Sequence, residues 1–583
     1  MTGIRAMLAA AVPILGGCLS VPDREVPMCS TSSDCDQLNG EVCDEGICWG
    51  NPPAGPFSAV VSPPSERPTL ASRELTEIGI YQDGWIDDIQ LERAALYTAR
   101  LACAAPLTCE ASSLDAKITI TRPSSFPGGP GFRSVVSAEG TDGFQIAVPA
   151  SADATYTITI VPDGRDQPAN PPSPAQLFPP LRTTLSIAGT TAGRTFELGG
   201  INLPTVSGIV KNEAGQPLAN YRVVALGRWD ATSAPSEVST VDFTGTDGKF
   251  SIQLASALSG NVEVVASSMA STTSPGLRPT LRFGGISGST GMASITLAWP
   301  QGVGSERVVA FDVKGVDGSG EVVPVRGASV RLSARATSPT GATSVEVEGT
   351  TDENGRITLG VLDGTLFAAA YRLSIVPPAN ATTGVIFDEP FMVVGPYPTR
   401  QLPNRVALRG VVYSHDGEPL KDIAVTARPS LKFVWSLDTT AAQAFLAAIP
   451  AATTVTPNTG EFVVWVDPNL IDIWGHYDLV LEPSPQSHAP NMTLLGIELP
   501  RTSSTTVTLP PIELPDAAFV RANVRDADGA LLEGAELKLY RIDEAQTLCT
   551  LVKNPPASCS VPATLVGRGI ADADGRLQLT LPR

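Results

Sequence analysis

The chain has 583 residues, with 59 acidic against 40 basic side chains, a formal charge of −19 and only three histidines. That balance, without a basic run, excludes a nucleic-acid binder, because phosphate binding needs clustered Lys and Arg. Gly and Pro are abundant, at 53 and 51, yet 43% hydrophobic residues are enough to build several separate cores rather than a disordered chain.

Residues 1–17 carry one basic residue, Arg5, and then a mostly apolar stretch from Ala6 to Leu15. This is the form of a secretory signal peptide, and it is too short to span a bilayer. It closes on Leu15-Gly16-Gly17-Cys18, which resembles the bacterial lipobox. The resemblance implies cleavage before Cys18, lipid on its thiol and new amine, and a membrane partner reached through that lipid alone. Leu19 follows, where an Asp would signal inner-membrane retention, so the expected address is the outer membrane of a bacterial cell envelope.

Eight further cysteines fall into local groups: Cys29, Cys35, Cys43 and Cys48, then Cys103 with Cys109, then Cys549 with Cys559. Local grouping in an exported chain predicts disulfides. The first group sits among Asp, Gly, Ser and Asn, with no hydrophobic core of its own, so two bridges must hold segment 18–50. Three pairings are open, and the crossed one, Cys29–Cys43 with Cys35–Cys48, is preferred. A zinc site is disfavoured because no Cys-x2-Cys occurs. Ser33-Asp34-Cys35, Gly40-Glu41-Val42-Cys43 and Gly46-Ile47-Cys48 resemble the cysteine-rich motifs that follow the lipobox in surface proteins of myxobacteria. Residues 51–68 read as a Pro-rich linker.

The rest of the chain repeats. Gly143, Gly248, Gly355, Gly460 and Gly575, each opening a short alternating strand, lie 105, 107, 105 and 115 residues apart. Asp-Gly and Asn-Gly at these points predict hairpin turns, since such turns need positive φ. A second anchor recurs as Gly208-Ile209-Val210 with Gly215-Gln216-Pro217-Leu218, and as Gly410-Val411-Val412 with Gly417-Glu418-Pro419-Leu420. A third recurs as Tyr156-x-Ile158-x-Ile160, Tyr371-x-Leu373-x-Ile375 and Tyr477-x-Leu479-x-Leu481. Period-2 alternation and frequent turns predict an all-β chain of tandem antiparallel sandwiches. The expected modules are 69–200, 201–300, 301–404, 405–515 and 516–583. Thr440–Ile449 reads as a helix, and Asp87–Leu101 is ambiguous, with strand favoured in its second half. The order of anchors resembles the carboxypeptidase regulatory-like, or transthyretin-like, domain. That resemblance implies seven-stranded two-sheet sandwiches in tandem on a bacterial surface and implies no activity.

Candidate sites are sparse, and the chain reads as a non-enzyme without cofactor or catalytic residues. His415-Asp416-Gly417-Glu418 spells a zinc-carboxypeptidase pair, but it coincides with a recurrent turn and needs a third ligand, so no metal is expected. Asp526-Ala527-Asp528-Gly529 and Asp572-Ala573-Asp574-Gly575 look like half a calcium loop without its distal Glu, and read as turns. An intramolecular Lys–Asn bond would need a buried Lys, and Lys211, Lys249, Lys314 and Lys421 fall at turns or strand ends. Trp229 and Trp435, near strand ends, are the candidates for stacking a glycan. Only eight residues follow Gly575, so the last module lacks its Tyr-x-Leu-x-Val strand and exposes an edge for a partner strand or self-association. The function expected is a lipid-anchored envelope stalk or interaction scaffold with an unknown protein or polysaccharide partner. The alternatives are a surface glycan-binding protein or adhesin, and a non-catalytic accessory to an envelope enzyme.

Overall fold

The computed structural model describes residues 29–583 apart from 106–113, 141–142, 151–153, 171, 188–190, 201, 232, 270–276, 290–291, 339–340, 380, 394, 431–448, 471–472, 475, 485–487, 500–504 and 542–562. Cys18, Cys109, Cys549, Cys559, Trp435 and nearly all of the expected helix 440–449 therefore lie outside the described residues. The fold is all-β: antiparallel sheets dominate, and they stack in pairs over apolar cores.

The module within residues 95–198 shows the plan. One sheet joins Leu181–Ser186, Thr155–Pro162, Ala116–Arg122 and Phe132–Ala138; the other joins Thr191–Leu198, Ala95–Cys103 and Phe144–Val148. Alternate residues of each strand point inward, so Ile118, Ile120, Ile158 and Ile160 are fully buried between the sheets. The recurrent tyrosines belong to this core. The Tyr156 hydroxyl donates to the Pro149 carbonyl, Tyr371 accepts from the Leu362 amide at 2.8 Å, and Tyr477 donates to the Asp467 carbonyl at 2.9 Å. Each ties its strand to the end of a strand in the facing sheet, which satisfies a buried hydroxyl.

The spaced glycines have a different role from the one expected. Gly355 and Gly460 have φ of 71° and 69°, and a Cβ at either would meet a first-strand carbonyl, Val313 or Val412, at 2.5 Å. The strands they join, however, lie in different sheets: Gly341–Thr350 pairs with Ser329–Ser338, whereas Arg356–Leu362 pairs with Glu306–Val316. The turn carries the chain across the sandwich instead of closing a hairpin. A second departure from the antiparallel expectation recurs with it. First and last strands pair in parallel, as in Thr205–Lys211 with Met292–Ala298 and Val406–Tyr413 with Thr506–Thr508. A chain that returns to its starting sheet after an even number of reversals of direction meets its first strand this way.

The segment expected to be a linker is not one. Phe57–Ser62 is a strand paired antiparallel with Glu536–Arg541, and Arg73–Ile78 extends the same sheet on its far side. Ile89–Gln90 pairs in parallel with Ala517–Arg525, at Val524 and Arg525. Residues 69–91 therefore belong to the C-terminal sandwich, and the first module's sheets begin at Ala95. Leu70, Ile86, Ile89 and Leu91 share one core with Val520, Leu537, Leu579 and Leu581.

Candidate functional site: the closed terminal module

The sandwich of residues 517–582 is completed by its own chain. In the preceding module, Tyr477, Leu479 and Leu481 face Pro429, Ala427 and Val425. In the terminal module, Phe57, Ala59 and Val61 face Arg541, Leu539 and Leu537 in the same register. Phe57-x-Ala59-x-Val61 thus occupies the place of the Tyr-x-Leu-x-Val strand. The three side chains are 1%, 0% and 0% exposed. The open edge expected of this module is filled, and neither a foreign strand nor a second chain is needed to fill it.

The opposite sheet is closed by the same N-terminal arm, residues 29–91. Gly50 donates its amide to the Phe519 carbonyl at 3.0 Å, Arg521 to that of Gly84 at 2.8 Å, and Leu91 to that of Arg525 at 2.9 Å. Gly84 has φ of 79°, and a Cβ there would lie 2.7 Å from the Phe519 oxygen, so the close approach requires glycine. Charged pairs run along the seam. Arg525 Nε donates to Asp88 at 2.6 Å, and that bond holds the Asp88 carboxyl below its ordinary value. Arg93 pairs with Asp528 at 2.7 Å, and Arg583 with both Glu41 and Asp516. The Arg521 guanidinium lies between the rings of Trp49 and Trp85, 5.0 and 4.6 Å from their centroids, and pairs with Asp44.

The disulfides hold the start of this arm. Cys29 is bonded to Cys43 and Cys35 to Cys48, in the crossed arrangement, and Cys48 precedes the Trp49 that pairs with Phe519. Cys103 is also disulfide-bonded. Among the described residues the cluster with metal-ligand proximity is Cys29, Cys35 and Cys48, whose sulfurs are already joined to other cysteines. A cleft of about 1380 Å³ opens beside the disulfide hairpin, between the terminal module and the one before it. His488, Asp416, Trp85, Arg521 and Arg576 are among its walls.

Of the residues singled out by pattern, His415, Asp416, Asp572 and Asp574 also line this cleft. His415 is exposed, with Nδ1 3.5 Å from Glu513, while the Glu418 amide bonds to Ser414 Oγ at 3.1 Å within the turn. Asp526 Oδ1 accepts the amides of Asp528 and Ala530 at 2.9 and 3.0 Å; Asp572 Oδ1 accepts those of Asp574 and Arg576 at 2.9 Å. These carboxylates form turns. None of the described lysines is buried. Trp229 is half-buried against its module's core.

Joints between modules are the polar sites that sequence patterns did not mark. Arg405 and Asp467 form a fully buried pair at 3.2 Å, with Arg405 Nη1 donating to the carbonyls of Pro378, Ala379 and Ala381 and Asp467 Oδ1 accepting the Val385 amide. Glu237 bridges Arg165 and Arg222 at 2.7 and 2.9 Å. Burial pushes its carboxyl up, but the two guanidiniums outweigh burial and hold it below the ordinary value. The next two modules share one continuous sheet through Thr280–Ser287 and Gly341–Thr350. The first module reaches the last: Phe126 packs on Tyr540 at 5.7 Å, and the Ala563 amide donates to the Gly128 carbonyl at 2.9 Å. On the other side His488 packs edge-on against Phe519 at 5.8 Å. The five sandwiches therefore contact one another in a closed cycle, where the repeat alone suggests an open stalk.

No family model and no curated protein matches the chain. Solved structures similar to it include a streptococcal ancillary pilin, at 12% identity over 54% of this chain and 98% of that one, with a TM-score of 0.19. Others are the shaft pilin of Lactobacillus rhamnosus GG (12%, 35% and 97%, 0.15) and the major pilin subunit of Bacillus cereus (8%, 53% and 99%, 0.12). At such values the fold rests on the sheets themselves. Among the described residues no helix is long and apolar enough to cross a membrane.

Proposed function

We propose that the chain is a non-catalytic structural or interaction scaffold of the bacterial cell envelope, held to the membrane by lipid on Cys18. The observation that carries this reading is the cycle itself. Its polar chemistry is spent on turns, joints and the seam of the terminal module, and the arm that starts at Cys29 is built into that module. A lipid on Cys18, eleven residues upstream of Cys29, would tether the cycle through its closing module. An extended chain covers at most about 3.6 Å per residue, so that module would sit within roughly 40 Å of the bilayer. The other four would present their surfaces to partners.

The test is fractionation of cells expressing Cys18→Ala beside the natural sequence. The variant is expected in the soluble fraction, and the natural chain with outer-membrane material on a density gradient. Continued membrane attachment of the variant would refute the anchor.

A further inference from the structure

The terminal sandwich is a two-piece structure: residues 29–91 supply the strands that residues 517–582 lack. Among the described residues nothing covalent joins the pieces at their interface, and the chain between them runs through the four intervening modules. Any copy of the arm, from the same chain or another, can make the same contacts. The choice between them is set by effective concentration rather than by contact chemistry.

The seam between the arm and the strands it covers leaves some buried polar atoms unpaired. Seven buried side-chain atoms have no hydrogen-bond partner among the described residues. Three of them belong to this one module: Ser58 Oγ and Glu74 Oε1 on the arm, and Arg521 Nε on the strand that the arm covers. Ser58 is 0% exposed, and the Glu74 side chain 7%. Release of the arm would return these atoms to water. What it leaves behind is an edge of fixed register, with inward places for Phe57, Ala59 and Val61.

We propose that the arm is an exchangeable strand donor. Residues 57–78 of one copy complete the terminal sandwich of a second copy, which converts closed monomers into strand-swapped dimers or longer chains. The partner is this protein itself, recognised by a strand and register already present in the monomer. The idea is independent of the lipid anchor, so a soluble chain beginning at Leu19 serves to test it.

Val60 and Lys538 are directly opposed across the seam, between the inward positions. Full-length Val60→Cys/Lys538→Cys, mildly oxidised when dilute, should cross-link within one chain. Chains carrying Val60→Cys alone and chains carrying Lys538→Cys alone are then mixed, incubated at rising concentration and oxidised. The expected result is a disulfide-linked heterodimer that grows with time and concentration and is absent when either variant is oxidised by itself. Cross-linking of the double variant without any heterodimer in the mixture would overturn the proposal, since the seam then forms only within a chain. Failure of the double variant to cross-link would overturn it too, because the seam would not exist.

Discussion

Glu237 shows how much a joint can rest on one side chain. Its carboxylate is shared by Arg165 from the first module and Arg222 from the second, so it joins two sandwiches with a single charge. Because its pKa is depressed in the folded protein, the linked stability is present above the ordinary Glu value of about 4.3 and is lost as pH falls through the lower folded value. The expected outcome is a melting-temperature gap between the natural chain and Glu237→Gln that is widest near pH 6 and narrows by pH 3. An unchanged gap would show that the pair does not carry the joint. Neither this pair nor Arg405 with Asp467 was legible in the sequence. A charge pair separated by tens of residues leaves no local pattern, and its partners are set by how two modules pack. The glycine repeat was legible for the opposite reason. Positive φ at Gly248, Gly355, Gly460 and Gly575 is a local demand, so the residue type marks the position wherever the turn recurs.

At the scale of elements, strands were readable and their partners less so. Tyr156, Tyr371 and Tyr477 fall on alternating strands, and each occupies the same place in its sandwich. Phe57-Ser58-Ala59-Val60-Val61 has the same alternation but stands between prolines and far from the other anchors, which is why it read as a linker. Its pairing with Glu536–Arg541 spans more than 470 residues, beyond any period the repeat displays. The strand makes its own prediction. Phe57→Ala removes a ring that is 1% exposed and should cost the terminal module about 3–5 kcal/mol, whereas Val60→Thr, on the outward side, should stay within about 0.5 kcal/mol. Hydrogen exchange of the amides in Glu536–Arg541 would report both. Equal protection in the two variants would contradict the register.

For the whole molecule, the period gave five sandwiches in series, and joining the last to the first needed the three-dimensional contacts. Seen in solution, scattering from the full chain should give a pair-distance distribution that ends well short of five modules laid end to end. Phe57→Asp, which places a charge in the terminal core, should lengthen it by releasing the arm. Equal maximum dimensions for the two would mean that the cycle does not depend on this strand.

The order of the pieces along the chain also sets a schedule. Phe57–Ser62 is synthesised early and its partner strand Glu536–Arg541 among the last. At 5–20 residues per second, the ribosome takes roughly 20–90 s to cover the distance between them. Throughout that interval the arm's apolar face has no native partner, while the four sandwiches between can fold as they emerge. Folding of this protein therefore closes on a strand made near its start, and a strand made early is among the last to be sheltered.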